Sequence, residues 1–249
     1  MIRESFVFLD RIGLKTENNI WKQGIEDWEM FISAKKIRGI GLRKGFFDRQ
    51  IRNMRKELYN SSMGFLKRAI PASEAWRLYE MFRDEAVFLD IETAHYYGHI
   101  TVIGLYDGYD TKMMIKDINL DKQALKKELE KYKLIITFNG SSFDLPVIER
   151  YFQGVVPDVP HIDLRHVCSR IGLKGGLKQI ENDLGIKRLP ELKNVTGEDA
   201  ANLWRVFKAT GDDYYLDLLI KYNEEDIINL KPIADFAARG LWKRIRGNS

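Results

Sequence analysis

Ala86-Val87-Phe88-Leu89-Asp90-Ile91-Glu92 is the stretch on which the reading of this chain turns. Four apolar residues running into an acid read as a buried central strand. Residues two apart in a strand face the same side. The Asp90 and Glu92 carboxylates can therefore reach one point where the strand ends. A buried, unpaired carboxylate is expensive, so an acid directly after Val87-Phe88-Leu89 needs a strong reason. An ordinary polar strand end is the plainer alternative.

Downstream, Ile100-Thr101-Val102-Ile103-Gly104-Leu105-Tyr106 reads as a second strand. Asp107-Gly108 offers turn chemistry, and Lys112-Met113-Met114-Ile115 returns as a third. Residues 121–132 read as a helix with Leu125 and Leu129 inward. Leu134-Ile135-Ile136-Thr137-Phe138 is a fourth strand, a helix follows near 144–152, and His161-Ile162-Asp163-Leu164 is a short strand or strand end. The rest reads as helices over 177–184, 197–209 and 212–238. Antiparallel strands first, then alternating helix and strand, predict a mixed α/β sheet.

Two further segments place acids at the end of an apolar element. In Thr137-Phe138-Asn139-Gly140-Ser141-Ser142-Phe143-Asp144, a strand ends, small residues turn, and Asp144 enters a helix. Asn139 and Ser141 suit substrate contact or simple turn and cap roles, and Asp144 also suits a helix start favoured by the dipole. In Tyr222-Asn223-Glu224-Glu225-Asp226, Tyr222 and Asp226 lie four apart and share a helix face that continues to Leu230. An acid on that buried face requires a compensating cation, whereas Glu224 and Glu225 read as solvent-facing. Asp163 reads as a helix N-cap or a further site acid. Lys174, Gly175, Gly176 and Lys178 form a flexible turn or an approach to phosphate. Cys168, Trp204 and Phe207 read as packing.

Upstream, residues 1–70 read as short helices joined by glycine turns, 71–85 as a connector, and 86–240 as the second domain. Ile12-Gly13-Leu14-Lys15-Thr16 and Ile37-Arg38-Gly39-Ile40-Gly41-Leu42-Arg43-Lys44 open two such turns. A longer helix then spaces Phe47, Ile51, Met54 and Leu58 along one stripe, with Arg49, Arg52, Arg55 and Lys56 mostly off it. Asn60-Ser61-Ser62-Met63-Gly64 breaks this helix. Two glycine-turned helix pairs in tandem resemble a helix-hairpin-helix module, whose turn amides and helix N-termini suit a phosphate. Arg43, Lys44, Arg49 and Arg52 are its candidate nucleic-acid contacts. Arg11 stands where the motif usually has glycine, so the first copy also reads as purely structural.

Charge supports a polyanion partner. Residues 1–85 hold 17 basic against 12 acidic side chains, and residues 35–68 hold 11 basic against Asp48 and Glu57. A solvated basic helix face is the plainer account. No apolar run approaches the roughly 18 residues needed to span a bilayer, and Phe6-Val7-Phe8-Leu9 is too short for a secretory signal. The single cysteine rules out an internal disulfide framework and a cysteine-based zinc site. A reducing, cytoplasmic compartment is the expectation.

Taken together and in this order, Asp-x-Glu, Asn…Phe-Asp and Tyr-xxx-Asp resemble the DEDDy group of 3′–5′ exonucleases. Trp76-Arg77-Leu78-Tyr79, Gly175-Gly176-Leu177-Lys178 and Tyr222 through Leu230 look like the YprB ribonuclease-H-like family. The resemblance is strongest over 86–232. It implies a ribonuclease-H-like mixed five-stranded sheet flanked by helices, preceded by the small all-α module. It also implies that Asp90, Glu92, Asp144 and Asp226 hold two divalent cations, that Tyr222 orients the attacking water, and that the substrate is a single-stranded 3′ end of DNA or RNA. Hard oxygen ligands suit Mg²⁺ or Mn²⁺. Asn139 and Lys178 join the candidate nucleic-acid contacts. Ala94-His95-Tyr96-Tyr97 departs from the more usual Thr-Gly after the first motif, which puts substrate contacts there in doubt. His95 is a candidate phosphate contact. A non-catalytic nucleic-acid-binding protein, a structure-selective endonuclease on the same fold, and a scaffold docking a protein through the basic module are the alternatives.

Overall fold

The strand read first, β1 (Ala86–Thr93), is the central strand of a five-stranded sheet ordered β3-β2-β1-β4-β5 in the computed structural model, which describes residues 1–94 and 98–247. β2 (Ile100–Tyr106) and β3 (Thr111–Ile115) continue from it as an antiparallel meander. β4 (Leu134–Thr137) and β5 (His161–Asp163) pair in parallel on its other side. The apolar run 86–89 is fully buried because both faces of a central strand are covered.

Helices precede and flank this sheet. They are α1 (Leu14–Trp21), α2 (Trp28–Ser33), α3 (Lys44–Tyr59), α4 (Met63–Ala69) and, after a 3-10 stretch Ala72–Leu78, α5 (Tyr79–Phe82). α6 (Lys122–Leu129) joins β3 to β4, and α7 (Asp144–Tyr151) joins β4 to β5. α8 (Leu164–Arg170), α9 (Leu177–Leu184), α10 (Gly197–Thr210) and α11 (Asp213–Ile245) complete the chain. The architecture is the expected α/β class with a helical region in front.

Two expectations need adjustment. The break read at residues 60–64 is shorter than its sequence suggests. A new helix starts at Met63, because Met63 and Leu66 are buried. The last helix continues beyond 238 to Ile245, since Leu241 is buried and the Trp242 ring stacks edge-on to Trp21 at 5.8 Å.

In α3 the stripe Phe47, Ile51, Met54 and Leu58 is buried, while Arg49, Arg52, Arg55 and Lys56 are exposed. Arg11 adopts φ 62° and Gly39 φ 85° at corresponding points of the two helical turns. Arg11 thus holds a left-handed conformation that glycine adopts more readily.

The helical region shares its core with the sheet domain. Arg77, fully buried, donates to Glu17 of α1 (2.9 Å) and to Glu74 (2.7 Å). The Lys133 ammonium reaches Ser61, and Arg68 pairs with Asp158.

Candidate metal centre

Asp90 and Glu92 emerge from the end of β1, and α11 lays Asp226 across them. The three offer carboxylate oxygens that all lie within 4.8 Å of one another. Strand alternation supplies the first two, as the spacing predicts. The third depends on how closely α11 packs on the sheet. Gly104 of β2 is paired with Asp90 in the ladder, and a Cβ there would stand 2.0 Å from Asn223 Oδ1. The missing side chain lets α11 settle against the strand. Asn223 then donates from Nδ2 to Asp90 Oδ2 at 2.8 Å.

Asp144 opens α7 on the same cavity wall but is turned differently. Its Oδ1 accepts from the Ile91 N–H at 3.1 Å. The preceding turn is pinned by Asp163, which accepts from the backbone N–H groups of Asn139 (2.8 Å), Ser141 (3.1 Å) and Arg165 (3.1 Å). Asp163 is therefore both the N-cap of α8 and the anchor of the loop that delivers Asp144. Asn139 sits at φ 68° and accepts from Arg165 Nη1 at 2.8 Å. It does not cap α7, whose N-cap is Phe143.

These groups face a cavity of about 650 Å³. Phe138, Phe143 and Tyr222 give it apolar walls, and Asn202 and Arg205 of α10 also line it. Burial strains the charge balance. Desolvation, reinforced by the neighbouring carboxylates, holds Asp90 and Glu92 well above the usual carboxylate range. Desolvation pushes Asp144 up to about 7. It raises Asp226 to about 6 despite an opposing guanidinium. Four acids in one desolvated site cannot all ionise without added positive charge. Oxygen donors, mutual proximity and unmet negative charge fit a hard divalent cation.

Part of the compensation is internal. The Arg188 guanidinium donates to Asp226 and makes two 2.6 Å bonds to Glu181. Glu181 also accepts from Asn229 at 2.9 Å. The Tyr222 ring lies under Lys178 Nζ (5.2 Å) and Arg188 Cζ (5.7 Å). Burial, with Asp226 beside it, raises the Tyr222 phenol above its ordinary range. Sequence reasoning missed Arg188, Glu181 and Asn223. Arg188 falls in an irregular segment with no periodicity to aim it, whereas Asn223 stands beside Tyr222 on a visibly apolar helix.

The remaining expected contacts scatter. Arg43 pairs with Asp10 at 2.7 Å. The Lys44 ammonium is engaged by Asp48 (2.6 Å) and the Ile32 carbonyl (3.2 Å), so it is turned inward. Arg49 and Arg52 are exposed on α3. Glu224 and Glu225 are half-buried rather than free in solvent: Glu224 accepts from Thr111, and Glu225 accepts from the Leu189 N–H at 2.7 Å. His95 and the Tyr96-Tyr97 departure lie outside the described residues. His161 bonds Thr137 at 2.9 Å, and burial pushes its imidazole down to about 4. Cys168 is fully buried, and Trp204 packs against Phe207.

A central strand ending in paired acids, flanked by antiparallel and parallel neighbours and crossed by an acid-bearing helix, defines the ribonuclease-H-like class of α/β proteins. Residues 87–238 match the RNase_H_2 family model, described as RNase_H superfamily, and the chain belongs to that family. Among solved structures, the chain is similar to the family B DNA polymerase from the hyperthermophilic archaeon Pyrobaculum calidifontis. The identity is 13% and the TM-score 0.48, over 60% of this chain and 24% of that one. No curated protein matches. Among the described residues, no helix is long and apolar enough to cross a membrane.

Proposed function

We propose that this protein is a metal-dependent 3′–5′ exonuclease of the DEDDy type, of the YprB kind, acting on single-stranded nucleic acid. The observation that carries the reading is the meeting of Asp90, Glu92 and Asp226 within 4.8 Å on an open cavity. Asp90, Glu92 and Asp226 hold one side of the centre, and Asp144 supports the other. Two divalent cations, Mg²⁺ or Mn²⁺, would lower the pKa of an attacking water and offset charge building on the phosphoryl oxygens. Tyr222, at the cavity wall, orients that water. Phe138 and Phe143 present apolar surface to a terminal base, with Asn139 beside them. The helical region over 1–70 contributes backbone contacts through its two turns. Support comes from the Asp10–Arg43 pair joining the turns, the open space around Gly13, Gly39 and Gly41, and the fully exposed Leu42.

The test is digestion of end-labelled single-stranded DNA and RNA with Mg²⁺ or Mn²⁺, resolved to nucleotide products. Stepwise shortening from the 3′ end is expected for the native chain. Asp90→Ala and Asp226→Ala should each lose activity by more than about a hundredfold, and EDTA should abolish it. Cleavage of circular single strands would show an endonuclease instead. One observation favours a second reading: the Arg188–Asp226 pair also suits acids kept for structure in a non-catalytic nucleic-acid-binding protein. Metal-independent binding without any nucleotide release would establish that reading.

A further inference from the structure

Behind Tyr222 and Asp226 lies a second cavity, of about 550 Å³. It is lined by Lys178, Lys187, Arg188 and Lys193, with Glu181 as its acid. Glu181 is already engaged by Arg188 and Asn229. Glu181 and Asp226 answer Arg188, so the positive charge left without a carboxylate partner is that of Lys178, Lys187 and Lys193.

Two buried donors sharpen the point. The Arg188 side chain is only 5% exposed, yet its Nη1 has no hydrogen-bond partner. Lys178 Nζ is also buried without one. A buried donor left unpaired is costly, and more so when it is charged. Two such cations side by side mark a place for an anion. Burial and the adjacent guanidinium hold the Lys178 ammonium below its usual range, against the pull of Asp226, Glu181 and Asp199.

The two cavities share a wall. Arg188 lines the second and donates through Nη2 to Asp226, which lines the first. Lys178 and Arg188 line the second while covering the Tyr222 ring that faces the first. The basic cavity is therefore adjacent to the catalytic one, separated from it by the Arg188, Tyr222 and Asp226 side chains.

We propose that the cavity formed by Lys178, Lys187, Arg188 and Lys193 is a phosphate subsite, taking a nucleotide phosphate next to the one facing Asp90, Glu92 and Asp226. The inference rests on the nucleic-acid reading of the catalytic cavity, but not on cleavage. The same chemistry serves an internal diester of the strand or the monoester of a released nucleotide.

The experiment is fluorescence anisotropy of the full chain with a 5′-labelled oligothymidylate in EDTA. It is repeated with one neutral methylphosphonate linkage moved along the strand. Lys187→Gln/Lys193→Gln is the comparison variant, since both lysines are exposed and their loss should leave the melting temperature unchanged. In the native chain, one linkage should weaken binding about tenfold when neutral. The variant should bind about tenfold more weakly at every linkage, ignore that one, and show a salt slope reduced by about two. Thymidine 5′-monophosphate and inorganic phosphate serve as competitors. Competition that the variant loses, without any singled-out linkage, assigns the subsite to the released monoester. Absence of both a variant-sensitive linkage and variant-sensitive competition overturns the proposal, whatever the cleavage assay shows. A sensitive linkage without cleavage would leave the subsite standing and remove the exonuclease.

Discussion

Asp226 sits in a conflict that its own helix cannot resolve. It is buried, it faces other acids, and Arg188 answers only part of the charge. The consequence is a pH dependence of defined sign. Burial raises Asp144 to about 7 and Asp226 to about 6, above their ordinary values. Between the ordinary carboxylate range and about 7, the folded state therefore binds more protons than the unfolded one. Stability falls as pH rises through that window. In EDTA, the melting temperature should drop from pH 5 to pH 8. Mg²⁺ or Mn²⁺ should raise it, and by more at pH 8, because the ionised acids bind metal. A flat profile with no metal response would contradict the electrostatic account of the site. Arg11 offers a second residue-scale outcome. Its φ of 62° is a conformation costing a non-glycine residue about 1 kcal/mol. Arg11→Gly should stabilise the chain by up to about 0.5 kcal/mol in urea unfolding, after glycine's own entropic cost.

Among the elements, β2 and α11 depend on each other directly. Gly104 sits where β2 faces Asp90, and Asn223 of α11 fills the space a side chain would take. Gly104→Ala places a methyl within 2.0 Å of Asn223 Oδ1. Either the amide turns away from Asp90 or the helix lifts from the sheet. We expect a loss of about 1–3 kcal/mol in chemical denaturation and weaker binding of Mn²⁺ by calorimetry. Unchanged metal affinity would show that the Asn223–Asp90 bond is not needed to set the centre. The turn between β4 and α7 follows a similar logic, with Asp163 gathering two of its backbone donors. The acid in β5 thereby fixes the approach of Asp144 from a different segment.

The whole molecule is tied together through Arg77. Its guanidinium joins Glu17 of the first helix to Glu74 just before the sheet, with no solvent exposure. Arg77→Met would leave Glu17 buried without its cation and Glu74 with Arg170 alone. We expect a destabilisation of about 3–5 kcal/mol. A single cooperative unfolding transition of the native chain, shifted as one in the variant, would follow from the core shared by both regions. A separate early transition in the native chain would argue against that coupling.

Local pattern was enough for the sheet and for the facing of three of the site's acids. Strand alternation put Asp90 and Glu92 on one side, and four-residue spacing put Tyr222 and Asp226 on one helix face, because backbone periodicity fixes side-chain direction within an element. The helix ends were less legible: Trp242 extends α11 through contacts with residues more than 160 positions away. The same limit hid Arg188, Glu181 and the second cavity. Nothing local aims an arginine in an irregular segment at an aspartate 38 residues on. Only tertiary packing, with its demand that buried charge find a partner, decided which cation meets Asp226, and that is where periodicity stops carrying information.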